Sequence, residues 1–227
     1  MRVFILCFVL IISSSCLLHG QVKNYNFKKG EVLDVLLLIQ KEGEKESSKE
    51  YFTEAIPIAK SLGYEPQPSF KVKEAPSEGN FHPQSLVFGK WRSLENRLES
   101  LSFLEKKVKD FHELRRKIWS SFNLTYYEID EELRFQVDES RYNVALAYWK
   151  NEDDLEFFKK YRAVLERSGG SLLLDLENGT SPFGYLYNPD RFLLVSFQNE
   201  RDFLRYKKMF SKMNVKGISH FNEFKID

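Results

Sequence analysis

Cysteine is almost missing from this chain: two among 227 residues, Cys7 and Cys16, both within the first twenty. Beyond residue 20 a disulfide scaffold and any cysteine-based metal or nucleophile chemistry are therefore excluded. Histidine is nearly as scarce, with four residues, which leaves few groups suited to proton transfer near neutral pH. The signatures of motif-bearing enzyme classes are absent as well: there is no HExxH, GxSxG, P-loop, GxGxxG or CxxC. No metal and no catalytic cofactor are expected. Neither sign of charge dominates, with 34 Lys and Arg against 33 Asp and Glu and no basic block, which argues against a nucleic-acid partner. No apolar run approaches the roughly twenty residues that a spanning helix needs.

The longest N-terminal apolar run, residues 3–12, follows Arg2 and leads into Ser13, Ser14 and Ser15. Charge, length and small-residue exit are those of a secretory signal, expected to occupy residues 1–20. Two processing routes fit. Cleavage after Gly20 leaves a thiol-free mature chain starting at Gln21. The alternative is lipidation of Cys16, although a serine stands where a lipobox has leucine. The expectation is a secreted or periplasmic protein, lipid-anchored in the second case.

Aromatic residues are abundant, at 15%, and are assigned to filling the cores of small sheets rather than to a carbohydrate or base-stacking platform. The chain also repeats itself. PQSLVFGKW, from Pro83, aligns without a gap on PDRFLLVSF, from Pro189, at an offset of 106 residues. The same offset sets Phe52, Ile58 and Gly63 against Phe158, Val164 and Gly169. The first copy reads as a strand over 32–40, a helix over 47–62 containing Pro57, strands over 69–74 and 85–91, a long helix over 93–120 capped by Ser93, and a strand over 124–129. The second reads as a strand over 142–149, a helix over 153–167 stopped by Gly169 and Gly170, strands over 171–177 and 192–197, a helix over 200–212 and a strand over 218–226. Residues 31–130 and 142–227 thus form two units, with the charged stretch 131–141 as linker.

Strand, helix, strand, strand, helix, strand is the ferredoxin-like unit. Two helices cover one face of its sheet, so the other face needs a partner. The second copy supplies one, and the expected fold is α+β: two tandem units forming an intramolecular dimeric α+β barrel. The residues Phe158 to Arg162, Gly169-Gly170 and Pro189 to Phe197 resemble the domain-of-unknown-function 1330 type of that barrel. The first half departs from the pattern, with Ser85 in place of Arg191, Tyr64 in place of Gly170 and a longer second helix. The resemblance implies relatives among monooxygenases, isomerases and haem-binding proteins.

A ligand in such a barrel lies between the sheets or between sheet and helices. Alternation over 171–177 places Leu172, Leu174 and Leu176 under the helices and turns Leu173, Asp175 and Glu177 toward the partner sheet. By the same logic Phe70 and Val72 go under the helices, while Lys71 and Lys73 face Asp175 and Glu177. Solvated edge charges are the plainer alternative. Among the histidines, His82 falls in a loop and His112 on the long helix. His220, beside Asn222, is the candidate for proton transfer or axial haem ligation. Arg191 and Tyr148 are candidates for binding a ligand, and the loop 178–190 with Phe183, Tyr185 and Tyr187 for a lid or adhesive surface. Asn123 and Asn178 open glycosylation sequons. The leading reading is a secreted, non-catalytic binder of a small, partly apolar ligand. The alternatives are a barrel enzyme of the monooxygenase or isomerase type, using His220, Asp175 and Glu177 as acid and base, and a structural or protein-interaction module.

Overall fold

The computed structural model describes residues 21–150, 155–182 and 187–227. Residues 1–20, read above as a signal and containing Cys7 and Cys16, the first residues of the helix expected from 153, and Phe183 and Tyr185 lie outside them. In chain order the elements are β1 (Val22–Phe27), β2 (Val32–Gln40), α1 (Lys45–Ser61), β3 (Tyr64–Pro66), β4 (Phe70–Lys71), β5 (Ser85–Trp91), α2 (Leu94–Lys107), α3 (Phe111–Ile118), β6 (Trp119–Glu128), β7 (Leu133–Asp138), β8 (Tyr142–Lys150), α4 (Leu155–Arg167), β9 (Gly170–Glu177), β10 (Arg191–Phe197), α5 (Glu200–Phe210) and β11 (Ile218–Ile226).

Besides a two-stranded ribbon of β1 and β7, two larger antiparallel sheets form, ordered β3-β5-β2-β6, with β4 also on β5, and β11-β8-β10-β9. Each is the ferredoxin-like order, and each carries its helices on one face. The other faces meet. Leu33, Val35 and Phe88 of the first sheet share one core with Ala145, Phe192 and Phe224 of the second. Burying such aliphatic and aromatic side chains contributes about 1.5–3 kcal/mol each, so this shared core fixes the two halves together. Side chains fill it, leaving a void of only about 10 Å³ beside Tyr127, Tyr187 and Phe192.

The halves are also tied by backbone exchange. The stretch after β4 runs along β11, with Lys71 and Asp227 donating N–H to each other's carbonyl at 2.9 and 3.1 Å and Ser77 donating to the Glu223 carbonyl at 2.9 Å. Reciprocally, Thr180 in the loop after β9 trades both backbone bonds with Tyr126 of β6 at 2.9 Å. Each half thus covers the open edge of the other, the edge that would otherwise recruit a foreign strand.

Some expectations are corrected. The stretch read as a linker, 131–141, contains β7, which pairs with β1 in a two-stranded ribbon. Its inward residues Tyr25, Phe27, Phe135 and Val137 extend the shared core, and the charged residues between them are the solvent face of an amphipathic strand. The long helix breaks: Val108 is extended and Asp110 is left-handed at φ 50°, which lets Phe111, Leu114 and Ile118 turn inward. Residues 119 and 120 already belong to β6. Pro57 lies inside α1 without ending it. The strand read over 69–74 shrinks to Phe70–Lys71, since the chain leaves β5 there to pair with β11.

A β-bulge inverts the predicted faces of β9. Leu194 pairs with Leu174, but Val195 pairs with Leu172, skipping Leu173. An inserted residue flips the alternation beyond it. Leu172 packs on the helix side as expected, whereas Leu174 and Leu176 enter the core between the sheets and Asp175 turns toward α4. Phe70 and Val72 likewise pack between the sheets. Lys71 and Lys73 are exposed, Lys73 pairs with Asp227 at 2.6 Å, and neither lysine meets Asp175 or Glu177.

Candidate functional site

The helix faces of the two halves differ, and the 106-residue repeat shows why. In the second half α4 buries Phe157, Tyr161 and Leu165, and α5 buries Phe203, Tyr206 and Phe210. The counterparts in the first half are Tyr51, Ala55 and Ala59 on α1, and Arg97, Ser100 and Leu104 on α2, all buried. Alanine and serine replace tyrosine and leucine where helix meets sheet. The second half is packed solid by rings, and the first keeps a cavity of about 160 Å³.

Alternation along β2 sends Leu33, Val35 and Leu37 between the sheets and leaves Asp34, Leu36 and Leu38 on the cavity side. Val87, Trp91, Leu104 and Leu124 complete an apolar wall. Phe52, 53% exposed, lines the cavity with Ile56 and Leu101, so it reaches the surface beside α1 and α2. Gly89 gives Tyr64 its place on this wall, because a Cβ there would stand 2.5 Å from the Tyr64 ring.

One polar cluster interrupts the wall. Asp34 is 3% exposed and Arg97 4%. The Arg97 Nε donates to Asp34 Oδ1 at 2.7 Å and the Trp91 indole N–H to Oδ2 at 2.9 Å. The guanidinium also lies 5.5 Å from the Trp91 ring and 5.4 Å from that of Tyr126. Burial pushes the Asp34 carboxyl above its ordinary pKa, opposed by the Arg97 charge and the two hydrogen bonds. Arg115, from α3, donates to the Tyr51 hydroxyl at 3.2 Å and packs 4.2 Å over Phe122. Sequence reasoning missed this site. Its signals are a lone aspartate inside the apolar run VLDVLLLIQ, and small residues at positions where the other copy has aromatics.

Four sequence candidates come together elsewhere. Arg191, 6% exposed, donates from Nε to Asp175 at 2.8 Å and from Nη1 to the Tyr148 hydroxyl at 3.0 Å, and pairs with Glu177. Phe158 lies 3.5 Å beneath its guanidinium, and Arg162 also bonds Asp175, at 2.9 Å. The carboxylates are engaged by arginines on the helix side of the second sheet. His220 is not with them. It is exposed and borders an open groove with Phe81, Trp149 and Tyr187. β11 and β9 are opposite edges of their sheet, three strand spacings or about 14 Å apart.

The residues do not fit a haem. His82 and His220 are exposed, His112 is half-buried and paired with Glu105 at 2.7 Å, and the helix side of the second sheet is filled by Tyr148, Tyr161 and Tyr206. Among the described residues, no group of three His, Cys, Asp or Glu is set to hold a metal ion, and no helix is long and apolar enough to cross a membrane.

Two ferredoxin-like halves closed sheet to sheet define a dimeric α+β barrel fold. A mutant chlorite dismutase from Candidatus Nitrospira defluvii shares it, with TM-score 0.51 and 9% identity over 88% of this chain and 93% of that one. An anthrone oxidase-like protein aligns with TM-score 0.49 and 13% identity, covering 89% and 94% of the two chains. At these identities the likeness is one of fold. No family model matches the chain, and no curated protein matches it in sequence.

Proposed function

We propose that this protein is a small-molecule binder whose ligand, largely apolar, sits in the cavity beneath α1, α2 and α3. The observation that carries this reading is the asymmetry of the halves: one helix-sheet layer is filled with rings, while its repeat keeps a cavity of about 160 Å³ with a buried ion pair on its wall. An apolar cavity with few, placed polar groups is the usual form of a ligand site. Binding without reaction is favoured because Asp34 is committed to Arg97 and Trp91, and no histidine or cysteine lines the cavity. The barrel-enzyme alternative needs His220, Asp175 and Glu177 around one substrate, and they stand at opposite edges of a sheet. The export signal read in residues 1–20 puts ligand capture outside the cytoplasm.

Native mass spectrometry of the protein purified from its host, with an absorption spectrum, tests this reading. A defined adduct that disappears in Ala55→Tyr, which copies the packing of the second half, supports it. An adduct unchanged in that variant places the ligand elsewhere and refutes it.

A further inference from the structure

Resting on that reading of the cavity, the geometry points to a ligand of definite class: we infer that the cavity takes a small monocarboxylic acid of about the size of benzoate, its carboxylate held by the free end of the Arg97 guanidinium.

Size comes first. A dry protein cavity of about 150 Å³ holds benzene, and the cavity here is about 160 Å³. It has room for one ring or a short branched chain, with a polar head directed at the Asp34–Arg97 pair on its wall. The head is specified by what Arg97 leaves undone. Arginine carries five N–H donors. Arg97 uses Nε on Asp34 at 2.7 Å, and its Nη1 and Nη2 have no hydrogen-bond partner among the described residues. The side chain is 5% exposed and lines the cavity. The cavity is where an acceptor can reach them.

Asp34, itself fixed by the Trp91 indole N–H, holds the guanidinium from behind, and the Trp91 and Tyr126 rings flank it. The planar fork is thereby pre-oriented. A carboxylate satisfies both terminal nitrogens at once, in two parallel charge-assisted bonds, which a hydroxyl or a single carbonyl does not. The second half has Phe203 at the position of Arg97 and, because Asp34 pairs with Gly89 as Val144 pairs with Val195, Val144 at that of Asp34, both buried among rings, so the acid-binding head belongs to the half that has the cavity.

Isothermal titration calorimetry of the full chain with benzoate, toluene and benzyl alcohol, near neutral pH, tests the inference. Benzoate is expected to bind at least tenfold more tightly than either neutral probe. It is also expected to shift the Trp91 indole N–H resonance in nitrogen-15 NMR. Asp34→Asn/Arg97→Gln, which removes both charges together, should lower benzoate affinity at least tenfold and leave toluene affinity within about twofold. Ala55→Tyr should abolish binding of all three. Circular dichroism checks that each variant is folded, and the wild-type resonance shift stands without any variant. If toluene binds and benzoate binds no better, water satisfies the Nη groups: the carboxylate inference falls while the cavity reading survives. If none of the three binds, both fall. Benzoate binding that persists in Ala55→Tyr lies outside the cavity and overturns the inference.

Discussion

Removing either member of the Asp34–Arg97 pair alone should damage the protein far more than removing both. In Asp34→Leu the guanidinium stays at 4% exposure without its counter-charge, and the Trp91 N–H loses its acceptor. Breaking a buried ion pair from one side costs about 3–5 kcal/mol, against about 1–3 kcal/mol for one orphaned donor. Arg97→Met strands the carboxylate instead and should cost the same 3–5 kcal/mol. Added together, the single effects reach about 6–10 kcal/mol, close to the whole stability of an ordinary domain. The double variant Asp34→Leu/Arg97→Met has no charge left to strand and only the Trp91 N–H unpaired, so its cost should stay below about 3 kcal/mol. Urea unfolding followed by far-ultraviolet circular dichroism, extrapolated linearly to water, measures all four proteins. Single variants that each cost less than about 1 kcal/mol, or a double variant that costs their sum, would refute the description of this pair as buried and mutually dependent.

Other outcomes follow from the same geometry. The Asp34 carboxyl titrates above its ordinary value in the folded state, so the native protein binds this proton more tightly than the unfolded chain. The contribution of Asp34 to stability therefore falls as pH rises from about 3.9 through the raised native value. The urea midpoint of wild type minus that of Asp34→Asn should decline across that window, and a difference that grows with pH contradicts the burial argument. Gly79 has φ +81°, and a Cβ there would stand 2.2 Å from Asn222 Oδ1. Gly79→Ala is expected to lose about 1–3 kcal/mol, and an unchanged melting temperature would show that the loop does not press on β11. Asn222, fully buried, accepts from the Phe81 N–H at 3.1 Å and donates to its carbonyl at 3.0 Å. Asn222→Ala should cost about 1–3 kcal/mol, with amide hydrogen exchange at Phe81 and its neighbours accelerating first.

The architecture was legible because the repeat is carried by residues that shape backbone and core. PQSLVFGKW and PDRFLLVSF both became central strands, β5 and β10. Ser93 and Asn199, 106 residues apart, both cap helices, accepting from the amides of Asn96 and Asp202. What alternation could not foresee was the bulge at Leu173, because an extra residue in a run of leucines leaves no trace in composition. That slip carried Asp175 and Glu177 to the wrong face and created the false meeting with Lys71 and Lys73. The cavity was hidden for another reason. A repeat displays what its copies have in common, and the site lies in what they do not, where Ala55 takes the place of Tyr161 and Ser100 that of Tyr206. His220 is of a scarce residue type, yet scarcity says nothing of depth, and the skipped pairing between Ile218 and His220 leaves it at the rim.

The exchanged loops also set the tempo of assembly. Ser77 and Glu223 lie 146 positions apart and are joined by side-chain as well as backbone bonds, and Lys207 adds a contact to Glu223 at 2.9 Å. Neither sheet can shield its inner face until both halves have been made and each loop has found the opposite edge. Contacts of such long range close late, which puts this chain at the slow end for an α+β protein of its size. Until they close, an isolated first half would present an apolar sheet face beside a bare β6 edge, and its nearest substitute for the missing partner is another copy of itself.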